Sequence, residues 1–223
     1  MRIALFGPPG AGKGTVAGAL VARTGALHIA TGDLLRAEVA AQTELGRRAR
    51  SYMDQGELVP DELVIAILQQ RLAHPDAAHG FILDGFPRTI AQAQSLDRML
   101  AGRGEKLEAI FDLQVEEETI IRRLSGRIIC PACDAIYNSY TMPPKVEGKC
   151  DRCGAGLIQR QDDRPEAIAV RFRAYGEQTE PLLDYYRPRG LLRAVDASQG
   201  SDFAADRVME LLARGQETGS VHS

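Results

Sequence analysis

Apolar and polar residues alternate along this chain in blocks that predict strands and helices in turn. Short apolar runs have the length of buried strands, and the stretches between them carry apolar residues at helical spacing. The predicted strands cover residues 2–6, 26–29, 81–83, 109–115 and 192–196. Strands that alternate with helices predict an α/β fold with a five-stranded parallel sheet flanked by helices.

Two segments interrupt this alternation, and they predict one core with two insertions. Residues 30–59 have two helical stretches and few apolar residues, whereas residues 127–163 hold turn residues, β-prone pairs and all four cysteines. We therefore expect 30–59 to be a small helical insertion and 127–163 to be a small β-rich lid. The remaining segments form the predicted core domain: 1–29, 60–126 and 164–223.

The last part of the chain returns to the core pattern. Helical spacing resumes at Pro165, a favourable first-turn residue, and continues to about Tyr186. A closing helix is predicted over 201–213, and the polar stretch 214–223 is expected to fray.

The first predicted strand leads into a glycine-rich stretch, Gly7-Pro8-Pro9-Gly10-Ala11-Gly12-Lys13-Gly14-Thr15. Strand, glycine-rich turn and helix start are the context of a phosphate-binding loop, because the turn points backbone N–H groups inward. Lys13 adds a full charge for the outer phosphates of a nucleoside triphosphate. Gly14 stands where the general pattern has Ser or Thr, which weakens the case for Mg²⁺ held directly by Thr15. The alternative is a glycine-rich turn with an exposed lysine.

A carboxylate ends the third predicted strand, in the stretch Asp84-Gly85-Phe86-Pro87-Arg88-Thr89. In a chain with a phosphate loop, an acid at the end of a buried strand is the usual place for a residue linked to Mg²⁺. The alternative is an aspartate that caps a turn. Ligands of such sheets bind beyond the carboxyl ends of the strands, so the phosphate loop, Thr31 and Asp84 should converge.

The four cysteines form two Cys-x-x-Cys pairs with sixteen residues between the pairs. This spacing predicts a four-thiolate zinc site made by Cys130, Cys133, Cys150 and Cys153. Four sulfur ligands leave no open position for a substrate, so the predicted metal is structural. The alternatives are two disulfides, a redox-active pair, or iron in the same site.

Phosphoryl transfer needs several fixed positive charges, and arginines near strand ends and lid boundaries are the candidates. They are Arg36, Arg88, Arg123, Arg127, Arg160 and Arg171. Each one is alternatively a solvated surface residue. The net charge of −3 and the pI of about 5.9 argue against a dedicated nucleic-acid binder. No apolar run is long enough to span a membrane and no signal-peptide pattern opens the sequence, so a cytoplasmic location is expected.

Taken together, these motifs resemble the adenylate kinases, specifically the long bacterial type with a zinc-binding lid. The resemblance covers essentially the whole chain and rests on the phosphate loop, Thr31-Gly32-Asp33-Leu34-Leu35-Arg36, residues 84–89 and the four cysteines. It implies a P-loop nucleoside-monophosphate kinase fold, in which 30–59 is the nucleotide-monophosphate-binding domain. It also implies the Mg²⁺-dependent reaction of ATP with AMP to give two ADP, with structural Zn²⁺, in a monomer that binds neither nucleic acid nor membrane.

The resemblance further implies three sets of site residues. ATP would contact Gly10, Ala11, Gly12, Lys13, Gly14, Thr15, Arg127, Ile136, Tyr137 and Gln199. AMP would contact Thr31, Arg36, Glu57, Leu58, Val59, Gly85, Phe86, Pro87, Arg88, Gln92, Arg160 and Arg171. The catalytic residues would be Lys13, Asp84, Arg88, Arg123, Arg127, Arg160 and Arg171, with Asp84 positioning Mg²⁺ through water. A kinase for UMP or CMP and a zinc-ribbon binding module with a relic phosphate loop remain the alternatives.

Overall fold

A computed structural model describes residues 1–219 of the 223-residue chain. Within these residues a parallel sheet contains β1 (Arg2–Phe6), β2 (Leu27–Ala30), β3 (Phe81–Asp84), β4 (Ala109–Gln114) and β7 (Leu192–Asp196). The strand order is β2-β3-β1-β4-β7, and every neighbouring pair is parallel. This arrangement confirms the predicted five-stranded parallel sheet.

Helices connect the strands and cover both faces of the sheet. They are α1 (Lys13–Thr24), α2 (Thr31–Ala40), α3 (Glu44–Gln55), α4 (Asp61–Leu72), α5 (Ile90–Ala101), α6 (Glu117–Ser125), α7 (Pro165–Ala174), α8 (Pro181–Tyr186) and α9 (Ser201–Gly219). A second, antiparallel sheet pairs β5 (Arg127–Ile129) with β6 (Ile136–Asn138) inside the predicted lid. Among the described helices, none combines the length and the hydropathy of a membrane span.

The hydrophobic core lies in two layers, one on each face of the sheet. Along β1, Ile3 and Leu5 face the layer formed with α1 and α9, whereas Ala4 and Phe6 face the layer formed with α4, α5 and α8. This alternation is the two-residue period of a strand that is buried on both faces. The central strand is therefore a rigid support for the loop that follows it.

The helical insertion at 30–59 attaches to the layer formed with α4, α5 and α8. Leu35, Ala49 and Val59 are buried there, and Gly46 of α3 lies against the backbone of α2. A Cβ atom at Gly46 would lie 2.1 Å from the carbonyl oxygen of Glu38, so the two helices can cross this closely only with glycine at that position.

The helix predicted from Pro165 to about Tyr186 is broken in the structure. A π-helical turn, Tyr175–Thr179, separates α7 from α8, and the N–H of Glu180 donates to the carbonyl oxygen of Tyr175 at 2.9 Å. Pro181 has no N–H to donate, so the ordinary helical bonding pattern cannot pass through it. The wider turn buries Thr179, whose hydroxyl donates to the carbonyl oxygen of Arg88 at 3.1 Å.

The closing helix also differs from its prediction, because α9 continues to Gly219 instead of ending at residue 213. The last four residues of the stretch that was expected to fray, 220–223, lie outside the described residues.

Candidate active site

A cavity of about 550 Å³ lies beyond the carboxyl ends of β1, β2 and β3. Strand register explains this position, because Leu5 of β1 and Ala30 of β2 both pair with Asp84 at the end of β3. The segments that follow the three strands therefore start at one edge of the sheet. In parallel α/β sheets, ligands bind at this edge. The phosphate loop, the start of α2 and residues 84–88 all line this cavity, together with residues from the lid.

The glycine-rich loop curls around one end of the cavity. Gly10 has a φ of +86°, and a Cβ atom there would lie 2.7 Å from Cγ2 of Ile120, so both the conformation and the space require glycine. The helix α1 starts at Lys13 without a side-chain cap. The first N–H groups of an uncapped helix lack intrahelical acceptors, and they form a ready anion-binding site.

Lys13 lies over this loop, where its Nζ atom donates to the carbonyl oxygens of Gly7 at 2.6 Å and Pro8 at 2.9 Å. Burial in the cavity lowers the pKa of Lys13 to about 7, although the nearby Asp84 carboxylate acts in the opposite direction. Neighbouring arginines, of which Arg88 has the largest effect, lower this pKa further. The lysine is therefore set to gain a proton when an anion arrives.

Asp84 faces the phosphate loop, and a Cβ atom at Gly14 would lie 3.2 Å from its Oδ2 atom. A serine or threonine at position 14 would press on the carboxylate, which accounts for the glycine there. Burial opposes ionisation of Asp84, but a hydrogen bond from His28 and the charge of Lys13 outweigh it and hold the pKa of the carboxyl below its ordinary value. An ionised carboxylate beside a phosphate loop suits Mg²⁺, which prefers oxygen ligands.

His28 is a site residue to which the sequence analysis assigned no role. Its Nε2 atom lies 3.4 Å from Oδ2 of Asp84. The signal that was available is strand periodicity, because His28 is two residues before Ala30, the register partner of Asp84. Using this signal requires the order of the strands in the sheet, which the sequence pattern did not provide.

Seven cationic side chains within the described residues line the cavity: Lys13, Arg36, Arg88, Arg123, Arg127, Arg160 and Arg171. Burial, followed by the charge of Arg171, lowers the pKa of Arg88 to about 10. Burial and the charges of Arg36 and Arg127 lower the pKa of Arg160 to about 10 as well. The Nε–H of Arg160 is buried without an acceptor in the described part of the chain. Such a crowd of cations with an unpaired buried donor is suited to bind phosphate oxygens.

Carboxylates that the sequence reasoning did not single out hold several of these arginines in place. Asp163 is buried and accepts from Nε of Arg127 at 2.7 Å and from Nη1 of Arg171 at 2.9 Å. Asp162 also lies 3.0 Å from Nη1 of Arg171. A second bridge joins the helical insertion to the return of the lid, since Arg160 lies 3.8 Å from Asp33. These bridges bring guanidinium groups from separate segments to one wall of the cavity.

The other end of the cavity is an apolar slot with a polar floor. Leu35, Met53, Val59 and Val64 line it, together with the buried side chains of Thr31 and Gln92. The Thr31 hydroxyl donates to the carbonyl oxygen of Gly85 at 2.8 Å. Glu57, Leu58, Gly85 and Pro87 also line the cavity, as the resemblance implied. The slot has the character of a site for a planar base.

Two residues assigned by resemblance do not line the cavity. The Phe86 side chain is fully buried in the core layer on the α4, α5 and α8 face of the sheet. Gln199 lies in the turn after β7, where its Nε2 atom is 3.4 Å from Oδ2 of Asp196, although the adjacent Gly200 and Ser201 do line the cavity. The nucleotide contacts that we expected for these two residues stay predictions.

The lid carries the four cysteines on two turns, and their sulfur atoms all lie within 4.8 Å of one another. Cys130 Sγ is 3.4 Å from Cys153 Sγ, and Cys133 Sγ is 3.5 Å from Cys150 Sγ. A disulfide needs about 2.05 Å, whereas four thiolates on one tetrahedral zinc ion stand about 3.8 Å apart. This geometry can hold a metal ion, and it does not contain the alternative disulfides.

Tyr137 links the cysteine cluster to the cavity. Its hydroxyl accepts from the N–H of Asp151 at 2.8 Å and lies 3.4 Å from Sγ of Cys150, where its hydrogen bond lowers the pKa of the Cys150 thiol to about 6. Tyr137 and its neighbour Ile136 both line the cavity on the lid side. The cysteine cluster therefore positions the lid residues that were expected to contact ATP.

Comparison with known proteins decides the family. A family model described as adenylate kinase matches residues 5–191. The chain belongs to the adenylate kinase family. An adenylate kinase of Streptomyces avermitilis is 49% identical over 215 residues, which are 96% of this chain and 98% of that one. Adenylate kinases of Archaeoglobus fulgidus and Lachnospira eligens are 50% and 47% identical, over 89% and 95% of this chain and 92% and 100% of theirs. The family predicted from the motifs is thus confirmed.

Proposed function

We propose that this protein catalyses the reversible transfer of the terminal phosphoryl group of ATP to AMP, which gives two ADP. One observation carries the proposal. A single cavity has a phosphate loop at one end, an apolar slot with Thr31 and Gln92 at the other, and a wall of arginines between them. Two nucleotides placed end to end in such a cavity would meet at their phosphates. Membership of the adenylate kinase family supports this substrate pair over UMP or CMP, and over a binding module.

The reaction needs no general base. A phosphate monoester has its second pKa near 6, so AMP is largely dianionic at neutral pH. An oxygen of the AMP phosphate attacks the γ-phosphorus of ATP, the bond from that phosphorus to the β–γ bridging oxygen breaks, and ADP leaves. The protein aligns the two phosphates and stabilises the charge on the group in transit with Lys13, Arg88 and the lid-side arginines.

Two metal ions complete the proposed function. Mg²⁺ would arrive with ATP and be held near Asp84, whose ionised carboxylate fits it, and it supplies further charge neutralisation for the phosphates. Zn²⁺ would be held by Cys130, Cys133, Cys150 and Cys153, whose four sulfur atoms leave no place for a substrate. We assign the zinc to lid structure and not to the reaction.

Two segments would close over the nucleotides. Residues 30–59 act as the domain that binds the monophosphate, and 127–163 act as the lid. Their closure excludes water, which would otherwise accept the phosphoryl group of ATP. We expect the opening of these segments to limit turnover. The monomeric state and the cytoplasmic location stay predictions.

A coupled assay tests the proposal. The protein is given Mg²⁺–ATP with AMP, GMP, UMP or CMP in turn, and ADP formation is followed. We expect AMP to be the best acceptor. Lys13→Met should lower the rate with AMP by about 10²- to 10³-fold because it removes a charge from the transferring phosphates. The matched control is Lys106→Met, which removes an exposed lysine and should leave the rate unchanged. A better rate with UMP or CMP, or no transfer to any acceptor, would contradict the proposal.

A further inference from the structure

Gln92 has both ends of its side-chain amide engaged at the floor of the apolar slot. The side chain is buried, its Oε1 atom accepts from the N–H of Arg88 at 2.8 Å, and its Nε2 atom donates to Oδ1 of Asp61 at 2.7 Å. The stretch Thr89-x-x-Gln92 has the pattern of a capping box, in which the glutamine would accept from the N–H of the cap residue. Here it accepts from the residue before the cap instead.

The two partners together determine which way the amide points. A backbone N–H can only donate, and an ionised carboxylate can only accept. Rotation of the amide by 180° would place its NH₂ group against the N–H of Arg88 and its oxygen against the carboxylate of Asp61. Both hydrogen bonds would be lost and both contacts would become repulsive. Asp61 therefore accepts one of the two hydrogen bonds that favour the observed orientation.

Asp61 is itself held by the cap of α5. Its Oδ2 atom accepts from the Thr89 hydroxyl at 2.8 Å, and the Thr89 hydroxyl oxygen accepts in turn from the N–H of Gln92 at 3.1 Å. These bonds join the first residue of α4 to the first turn of α5. Asp61 does not line the cavity, so its effect on a ligand would pass through Gln92.

The orientation of the amide decides which base fits the slot. Oε1 keeps one free lone pair and Nε2 keeps one free hydrogen, so Gln92 offers an acceptor and a donor at fixed positions. Adenine presents the complement, an exocyclic amino donor beside a ring nitrogen acceptor. A base with a keto oxygen beside a ring N–H, such as hypoxanthine, presents the reverse pattern. Its acceptor would face the Gln92 acceptor and its donor would face the Gln92 donor.

We propose that Asp61 is a positioning residue that sets base selectivity in the monophosphate site by fixing the orientation of the Gln92 amide. The inference rests on the proposed function for the position of the base. It predicts selection of amino-bearing bases over keto-bearing bases by hydrogen-bond direction, whereas the apolar walls of the slot would select only for size and shape.

The test compares AMP with inosine monophosphate, which differs from AMP at the amino group and the adjacent ring nitrogen. Dissociation constants are measured by calorimetry, and kcat and KM are measured for both acceptors. The variants are Asp61→Ala, Asp61→Asn and the control Glu62→Ala, which alters the next residue of the same helix turn and has an exposed side chain. Thermal unfolding verifies that each variant is folded.

We expect wild type to bind AMP in preference to inosine monophosphate. Asp61→Ala should lower this preference by about tenfold, mostly through KM, because the amide loses one of its two orienting bonds. Asp61→Asn should also lower the preference, but by no more than Asp61→Ala does, since an asparagine amide can accept from Nε2 in one orientation and donate to a rotated Gln92 in the other, whereas a carboxylate only accepts. Glu62→Ala should match wild type.

The outcomes separate this inference from the proposed function. If wild type binds the two nucleotides equally, or if Asp61→Ala weakens both by the same factor, the inference is wrong and Asp61 has only a structural role. If wild type prefers AMP in binding and Asp61→Ala loses that preference, but no phosphoryl group is transferred, the inference stands and the proposed function fails.

Discussion

The core sheet and the lid of this protein keep their shapes by different means. In the core, Ile3, Ala4, Leu5 and Phe6 of the central strand are at most 3% exposed, and helices cover both faces. In the lid, two three-residue strands share a small buried cluster in which two of the three buried side chains are cysteines. A segment of this size cannot stabilise itself by apolar burial alone, and we propose that four cysteines placed to hold one metal ion replace the missing core.

The difference extends to what each region contributes to the active site. Lys13 and Arg88 follow strands of the core sheet and Asp84 ends one, so their positions depend on the rigid layer. Ile136 and Tyr137 come from the lid and depend on the cysteine cluster. The candidate catalytic residues of the core are thus held by the sheet, whereas the lid residues depend on a separate source of stability. The two regions should therefore fail separately when they are perturbed.

Metal removal should produce the largest difference between the lid and the core. Cys150→Ser, or chelation of wild type, should abolish binding of about one metal ion per chain and expose 127–163 to proteolysis, because the lid has little else to hold it. The core should still unfold cooperatively. Metal analysis, limited proteolysis and calorimetry are the measurements. Lys149→Ala alters the exposed neighbour and is the control. Loss of all activity in an apo protein whose lid remains folded would contradict a purely structural ion.

Leu96→Ala perturbs the core and should leave the lid unchanged. Leu96 is fully buried beneath the sheet, so its truncation should lower the free energy of unfolding by about 2–5 kcal/mol. Metal content should not change. Urea denaturation and metal analysis are the measurements. The control is Ile121→Ala, whose side chain is 47% exposed and should change stability by only about 0.5 kcal/mol. Loss of metal in the folded Leu96 variant would show that the two regions are coupled.

The lowered pKa of Lys13 predicts that ATP binding is accompanied by proton uptake, which should depend on the phosphate loop of the core and not on the lid. Its pKa in the free protein is about 7, so Lys13 is mostly neutral at pH 8, and the phosphates of ATP favour its charged form. Binding at pH 8 should therefore be accompanied by proton uptake at this residue. Calorimetry in buffers of different ionisation enthalpy measures the uptake, and Lys13→Met should abolish it. Equal uptake by wild type and Lys13→Met would refute the assignment.

The same shift has a consequence for stability. The folded-state pKa of Lys13 is depressed from 10.5 to about 7, so the unfolded chain binds more protons than the folded chain between these values. The contribution of Lys13 to the free energy of unfolding should consequently rise with pH across this window. Below pH 7 both states are protonated, and the contribution becomes constant.

Tyr186→Phe should have the smallest effect on stability. It tests whether a buried polar group of the core lacks a hydrogen-bond partner. The Tyr186 hydroxyl is buried without a partner in the described part of the chain, so its removal should be neutral or stabilise by up to about 1 kcal/mol. Tyr185→Phe is the matched comparison, because the Tyr185 hydroxyl donates to Asp97 at 2.8 Å, and its loss should cost about 1 kcal/mol. Denaturant titration distinguishes the two. A clear loss of stability in Tyr186→Phe would indicate a buried water on that hydroxyl.

Local patterns predicted the parts of this protein that depend on neighbours in the chain. The phosphate loop, the two cysteine pairs and the strand that ends at Asp84 each lie within a few residues, so spacing and apolar runs were sufficient. The break in the helix after Ala174 was not predicted, although Pro181 was visible, because the π-helical turn is tied to Arg88 from another element.

The sequence by itself determined the class of fold, the phosphate loop and the cluster of four cysteines, since each depends on residues at short separation along the chain. Only the tertiary structure decided the partners of those residues. His28 meets Asp84 across 56 residues, Gln92 meets Asp61 across 31, and Arg127 meets Asp163 across 36. The physical reason is that hydrogen bonds and ion pairs act over a few ångströms in space, while patterns along a chain encode which face of an element is buried and not which side chains meet there.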